Sequence, residues 1–201
     1  MRRPIGPSAL RELTPESAYR LSPATLLTIR PEQPTDVVSI RDVIQQAFAG
    51  MPYADGDEAE LVEALRAEGA LSVSMVAEQR GAVVGQIAFS PAIAADGSRG
   101  WYALGPVAVL PSHQRSRIGA RLVLAGLRAI EELGAAGCIL TGNPAYYSRF
   151  GFESSPEHTP IGEPAEFFML KLLRGERPKG PIAFHAAFRS SSSAPASGNL
   201  S

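Results

Sequence analysis

The stretch Val107-Ala-Val-Leu-Pro-Ser-His-Gln-Arg-Ser-Arg-Ile-Gly-Ala-Arg-Leu122 decides the fold. Val107 to Leu110 are apolar and read as the end of a strand, which Pro111 stops. Ser112 to Ser116 form a polar loop. Beyond it Ile118, Leu122, Leu127, Ile130 and Leu133 recur at helical spacing up to Gly134. A strand therefore runs through a basic turn into the N-terminus of an amphipathic helix. The start of a helix leaves about four backbone N–H groups unpaired and carries a partial positive charge. Arg115 and Arg117 lie beside it, and Gly119 lets another backbone come close. The turn is thus built for an anion, and a phosphate or pyrophosphate is its natural ligand.

On the N-terminal side, Trp101 to Val109 reads as one strand carrying Gly105-Pro106. Proline cannot donate to a ladder, so a bulge is expected there. Before it, Leu71 to Glu78 and Val83 to Ser90 alternate with period two about the turn Gln79-Arg-Gly-Ala82, as a hairpin does. On the C-terminal side, Gly137 to Thr141 is the next strand, parallel to the first and reached by a right-handed crossover. Gly142-Asn-Pro-Ala-Tyr-Tyr-Ser-Arg-Phe-Gly-Phe152 follows. Pro144 suits the first position of a short helix and Gly151 its exit.

The remaining elements are a strand at Leu26–Arg30 and a helix with Val37, Ile40, Ile44, Ala47 and Phe48 inward, for which Thr35 or Asp36 can serve as cap. A second helix runs from Asp57 to Glu68. Residues 153–166 read as a polar connection, Phe167–Leu172 as a late strand and Ile182–His185 as a last edge strand. Residues 1–23 form an extension, 24–188 one domain, and 189–201 a Ser/Ala-rich tail expected to be disordered.

Composition narrows the function. The 201 residues carry a formal net charge of −1, which gives no reason to expect a nucleic-acid partner. A single cysteine, Cys138, sits in an apolar run and reads as a buried small hydrophobe. His113, His158 and His185 are far apart and lack metal-ligand spacing, so no metal is expected. No apolar run approaches the roughly 18 residues of a membrane span, and no apolar signal core follows Met1-Arg-Arg-Pro4. No membrane partner and a cytoplasmic location are the expectation.

The segment Gln114-Arg-Ser-Arg-Ile-Gly-Ala120, after a V-x-V-x-P strand, resembles the acetyl-CoA-binding segment of the GNAT acetyltransferases, whose pattern is Gln/Arg-x-x-Gly-x-Gly/Ala. Gln114 and Gly119 match, and Arg117 replaces the usual first glycine. Arginine there can hold helical dihedrals and still offer its N–H. Pro144-Ala-Tyr-Tyr-Ser-Arg-Phe-Gly-Phe152 is a second and more specific match, in which Tyr147 stands five residues before the closing Phe. The resemblance covers roughly residues 26–188. It implies an α/β (α+β) fold with a mixed sheet of about six to seven strands, splayed in the middle, and about four helices. It implies an acetyl-CoA-dependent N-acetyltransferase acting on the amine of a small molecule or peptide, and it allows a homodimer.

Acetyl transfer to an amine needs a thioester held in place, a polarised carbonyl and a stabilised leaving thiolate. The resemblance assigns the pantetheine to backbone groups of Val107, Ala108 and Val109. It assigns the pyrophosphate to Gln114, Arg115, Ser116, Arg117, Ile118, Gly119 and Ala120. Tyr147 is the candidate acid for the coenzyme A sulfur, and Asn143 would order the pantetheine or a water. No carboxylate is singled out as general base; Glu78, Asp55 and Glu58 are the candidates. A non-catalytic acyl-CoA-binding module would use the same cradle. A phosphate-loop nucleotide site is set aside, because the Gly-Lys-Ser/Thr ending is missing.

Overall fold

The computed structural model describes residues 27–51 and 56–188; the extension 1–23, the tail 189–201 and Asp55 lie outside them. β1 (Leu27–Pro31) leads into α1 (Val37–Phe48) and α2 (Glu58–Ala67). The hairpin is β2 (Val73–Gln79) and β3 (Ala82–Pro91), closed by Arg80 and Gly81 at φ 54° and 76°. Two consecutive left-handed residues match the twist of the flanking strands. After the short β4 (Ile93–Ala94) come β5 (Trp101–Val109), α3 (Ile118–Glu132), β6 (Gly137–Thr141) and α4 (Pro144–Tyr147). β7 (Glu153–Ser154), β8 (Phe168–Leu172) and β9 (Ile182–Ala183) complete the chain.

Seven strands form one sheet in the order β1-β2-β3-β5-β6-β8-β7. Every neighbouring pair is antiparallel except β5–β6, the pair joined through α3. Among the described residues this is a mixed seven-stranded sheet with four α-helices, as the resemblance implies. α3 lays Ile118, Leu122, Val123, Leu127 and Ile130 on one face of the sheet, against Ile87, Phe89, Leu104, Cys138 and Leu140. Each such side chain contributes about 1.5–3 kcal/mol when fully buried. Gly126 lies against the Phe89 ring, where a Cβ would collide with it. α1 covers the opposite face, packing Ile40, Val43 and Ile44 on Val76, Ala88 and Ala108. Among the described residues, no helix is long and apolar enough to cross a membrane.

Three expectations need correction. Only Ile182–Ala183 of the expected last strand is extended, and it pairs with β4 in a separate two-stranded sheet. Phe184 and Phe188 instead turn onto the α1 face, with the Phe184 ring 6.1 Å from that of Phe168. Residues 153–166 are not purely a connection. They hold β7 and the buried pair Ser155 and His158, whose Oγ and Nδ1 lie 2.7 Å apart. Asp36 does not bond a helix N–H; its carboxylate accepts from the Gln33 N–H at 2.7 Å and from Arg30.

Gln86, Ala88 and Ser90 of β3 share the α1 face, and both polar side chains are wholly buried. The Ser90 hydroxyl finds no partner among the described residues. An unsatisfied buried hydroxyl costs roughly 1–3 kcal/mol. Ser90→Ala is therefore expected to raise stability, by about 1 kcal/mol, read as a higher urea midpoint at unchanged slope.

Candidate functional site: a forked sheet and an amide cradle

The parallel pairing of β5 with β6 covers only Trp101–Gly137, Tyr102–Cys138 and Ala103–Ile139. Beyond it the strands part, leaving the edges of Val107–Val109 and of Leu140–Thr141 facing a gap. The cause is local. β5 stays paired to β3 on its other side, but the register shifts between Ile87 and Phe89, where Gly105-Pro106 is accommodated. This is the expected bulge. The N–H of Leu110 donates to the carbonyl of Val84 at 3.0 Å, so alternate residues of β5 point their backbone toward β3. Ala108 belongs to that set and is committed to the ladder. Val107 and Val109 point the other way, into the gap. Gln114 confirms the sense, since its Nε2 donates to the Val109 carbonyl at 3.2 Å. The Gln114 side chain thus tethers the loop to the strand.

At the end of β5 the chain turns through Pro111–His113 and reaches α3. The first helical N–H with a backbone acceptor is that of Arg121, which donates to Arg117 at 3.1 Å. The six N–H groups of Arg115, Ser116, Arg117, Ile118, Gly119 and Ala120 have no acceptor among the described residues. Arg115 and Arg117 are left-handed, at φ 60° and 65°. The expectation that Arg117 holds helical dihedrals is therefore corrected: it is the N-cap residue of α3, with φ 65° and ψ 12°. Alternation of this kind curls successive amides around a concavity that suits an anion. The Ser116 hydroxyl closes the loop by donating to the His113 carbonyl. Ile118 contributes only its backbone, because its side chain is buried. Arg121 is directed elsewhere, donating to the Leu27 carbonyl at 3.0 Å.

α4 brings two tyrosines to the same face as α3. Tyr147 packs beside β6: a Cβ on Gly142 would lie 2.6 Å from its ring, and its ring meets Phe152 edge-on at 6.0 Å. Burial pushes its phenol well above the ordinary value, and the neighbouring Tyr146 and Cys138 add to the rise. Tyr146 meets Tyr147 edge to face at 5.0 Å and points to the cradle, its hydroxyl 3.2 Å from where a Cβ on Gly119 would stand. The structure thus places Tyr147 at the β6 wall of the gap and Tyr146 over the helix start. The doubled Tyr in the sequence was the available signal for Tyr146. Arg149 lies over the Tyr146 ring at 4.8 Å. Asn143 is the N-cap of α4, its Oδ1 accepting from the Ala145 N–H at 2.9 Å.

Of the three candidate bases, Glu78 is engaged by Arg30 at 2.8 Å. Glu58 lies in the first turn of α2. A carboxylate that the sequence did not single out, Glu163, accepts from Thr141 Oγ1 at 2.8 Å at the end of β6. Among the described residues no cluster of side chains could hold a metal ion.

Comparison with known proteins agrees with this architecture. Residues 71–154 match the model of the acetyltransferase (GNAT) domain. An N-acetyltransferase of Escherichia coli K12, YhbS, is 35% identical over 133 residues, which are 66% of this chain and 77% of that protein. A GNAT family acetyltransferase from Brucella melitensis, solved in complex with acetyl-CoA, superposes with a TM-score of 0.73. It is 42% identical, and the match covers 81% of this chain and 98% of that one. The Escherichia coli YhbS structure, in complex with CoA, gives a TM-score of 0.75 at 31% identity, over 84% and 94% of the two chains. The forked sheet, the cradle and these likenesses lead to one conclusion: the chain belongs to the GNAT family of N-acetyltransferases.

Proposed function

We propose that this enzyme transfers the acetyl group of acetyl-CoA directly to the amine of a small molecule or peptide, using the cradle and the fork as one continuous cofactor site. The observation that carries this reading is the run of six unpaired amides from Arg115 to Ala120, opening beside a strand edge that lacks a partner. Such a run fits a diphosphate, whose oxygens accept several N–H bonds at once. Arg115 and Arg117 add positive charge at its rim. Gly119 keeps the floor open, and the Tyr146 hydroxyl stands beside it.

The amides of a pantetheine arm need backbone partners; Val107 offers its N–H and carbonyl toward the gap and Val109 its N–H, while the Val109 carbonyl already accepts from Gln114. When bound, acetyl-CoA supplies an acyl group activated as a thioester. Tyr147 is the group we assign to the departing sulfur. Burial keeps its phenol protonated, so its O–H is available to donate. Thiols ordinarily ionise near 8.5 and phenols near 10, and burial widens that difference. Tyr147 therefore stabilises the thiolate by a hydrogen bond rather than by giving up its proton. Asn143 acts as a positioning residue, since its cap on α4 fixes where Tyr147 stands.

Titration calorimetry with acetyl-CoA is expected to show saturable one-to-one heat, and thiol release is expected with at least one member of a broad amine panel. Absence of heat at millimolar cofactor would remove the proposal, and heat without any amine acetylated would leave a non-catalytic binding module. Tyr147→Phe is expected to keep cofactor affinity and lower kcat about tenfold to a hundredfold, the worth of one hydrogen bond to a charged group. Arg117→Gly should relieve the left-handed strain, roughly 1–2 kcal/mol for an L-residue. Glycine's extra freedom in the unfolded chain offsets about 0.5–1 kcal/mol of that gain, so the denaturation midpoint is expected to rise slightly.

A further inference from the structure

We infer that Glu163, held by Thr141, is the acceptor-binding carboxylate, and that the acceptor is a primary amine on an apolar or aromatic body. The amine is bound as its ammonium and attacks as the neutral amine once one proton has passed to solvent, the second proton leaving the nitrogen for the departing CoA thiolate. The inference rests on the proposed acetyl transfer and names the acceptor class for that same site.

The placement follows from strand register. Residues alternate faces along β6, so Ile139 and Thr141 point to one face, and Cys138 and Leu140 to the other. Cys138 and Leu140 belong to the core under α3. Ile139 packs with Ala103, Phe168 and Leu170 on the opposite face. Thr141, opposite Phe168 in β8, shares the Ile139 face. The cradle, α3 and the two tyrosines occupy the first face. An acceptor that meets a thioester threaded through the gap has the second face as its approach. Thr141 stands there, two residues, or roughly 7 Å, beyond the last β5–β6 pair.

The loop carrying Glu163 is anchored at this mouth. The Gly142 N–H donates to the Phe167 carbonyl at 2.9 Å, and Glu163 closes a turn onto Pro160 at 3.2 Å. One carboxylate oxygen of Glu163 takes the Thr141 hydroxyl, and the other has no partner among the described residues. Thus the charge is aimed by a neutral donor and is not neutralised by a basic side chain. Ion pairs hold Glu32, Glu60, Glu63 and Glu78 elsewhere in the chain. The same loop exposes two large apolar side chains, Ile161 at 105% and Phe167 at 46% relative exposure. Single exposed apolar residues are ordinary, but these two lie two and four positions from Glu163 on the loop that Gly142 anchors to the end of β6. Charge and apolar rim together select an amphipathic cation.

The test is calorimetry on the full chain saturated with CoA, using phenethylamine, phenethyl alcohol and spermidine as probes. Phenethylamine is expected to bind, phenethyl alcohol to bind at least tenfold more weakly, and spermidine to bind more weakly than phenethylamine. Glu163→Gln preserves the acceptor oxygen for Thr141 and removes only the charge. It is expected to weaken phenethylamine about tenfold to a hundredfold while leaving CoA affinity and phenethyl alcohol unchanged. Thr141→Val should give an intermediate loss, and Ile161→Ser with Phe167→Ser should weaken phenethylamine but not spermidine. Equal binding of phenethylamine to wild type and Glu163→Gln, or no binding to wild type at millimolar concentration, overturns the inference. Stronger binding of spermidine than phenethylamine overturns the apolar half of it. Failure of CoA itself to bind would instead strike the cofactor reading, so the two failures are separable.

Discussion

The short pairing of β5 with β6 is the constraint on which the rest of the structure depends. A sheet normally continues its ladder until a strand ends, since an unpaired buried amide is costly. Here the ladder stops after Ala103 and Ile139, while both strands run on. Gly105-Pro106 makes this possible, because proline has no N–H to leave unmade and the bulge swings the strand aside. The freed edges of Val107 and Val109 are then a ready ladder for a ligand with amides of its own.

A fork of this kind must be held open by what packs around it. α3 does so on one face, and its approach depends on close contacts rather than bulk. Gly126 meets Phe89, and a Cβ on Gly85 would lie 3.1 Å from both Leu122 and the Ala108 carbonyl. The apolar burial along α3 offsets the strain of two left-handed arginines at its start. That strain persists where the amides must curl, which is where a site is expected to store it.

The two faces of the sheet divide the labour. Tyr146 and Tyr147 stand on the α3 side, one at the helix start and the other against β6. Thr141 and Glu163 stand across the sheet from them. A single residue of register along β6 separates Leu140, which packs toward α3, from Thr141, which does not. The distinction between the proposed cofactor side and the proposed approach side is therefore set by the period of a strand.

Much of this was legible in the chain itself. Strand, basic turn and helix at 107–133, the proline-marked bulge, the parallel return at Gly137–Thr141 and the capped helix at Pro144 all follow from local rules of backbone and periodicity. β4 and β7, each two residues long, left no periodic trace, and the end of the chain was read as a longer edge strand than it is. Local pattern also could not say that Arg117 is left-handed or that the Ala108 backbone is spent on β3. The pairing of Glu163 with Thr141 joins residues 22 positions apart, and the Arg30–Glu78 pair that removes Glu78 from the site joins residues 48 apart. Sequence determined that the turn before α3 would leave its amides free, because that depends on near neighbours. Tertiary structure decided which side chains face them, because only folding brings distant residues to the same face and edge.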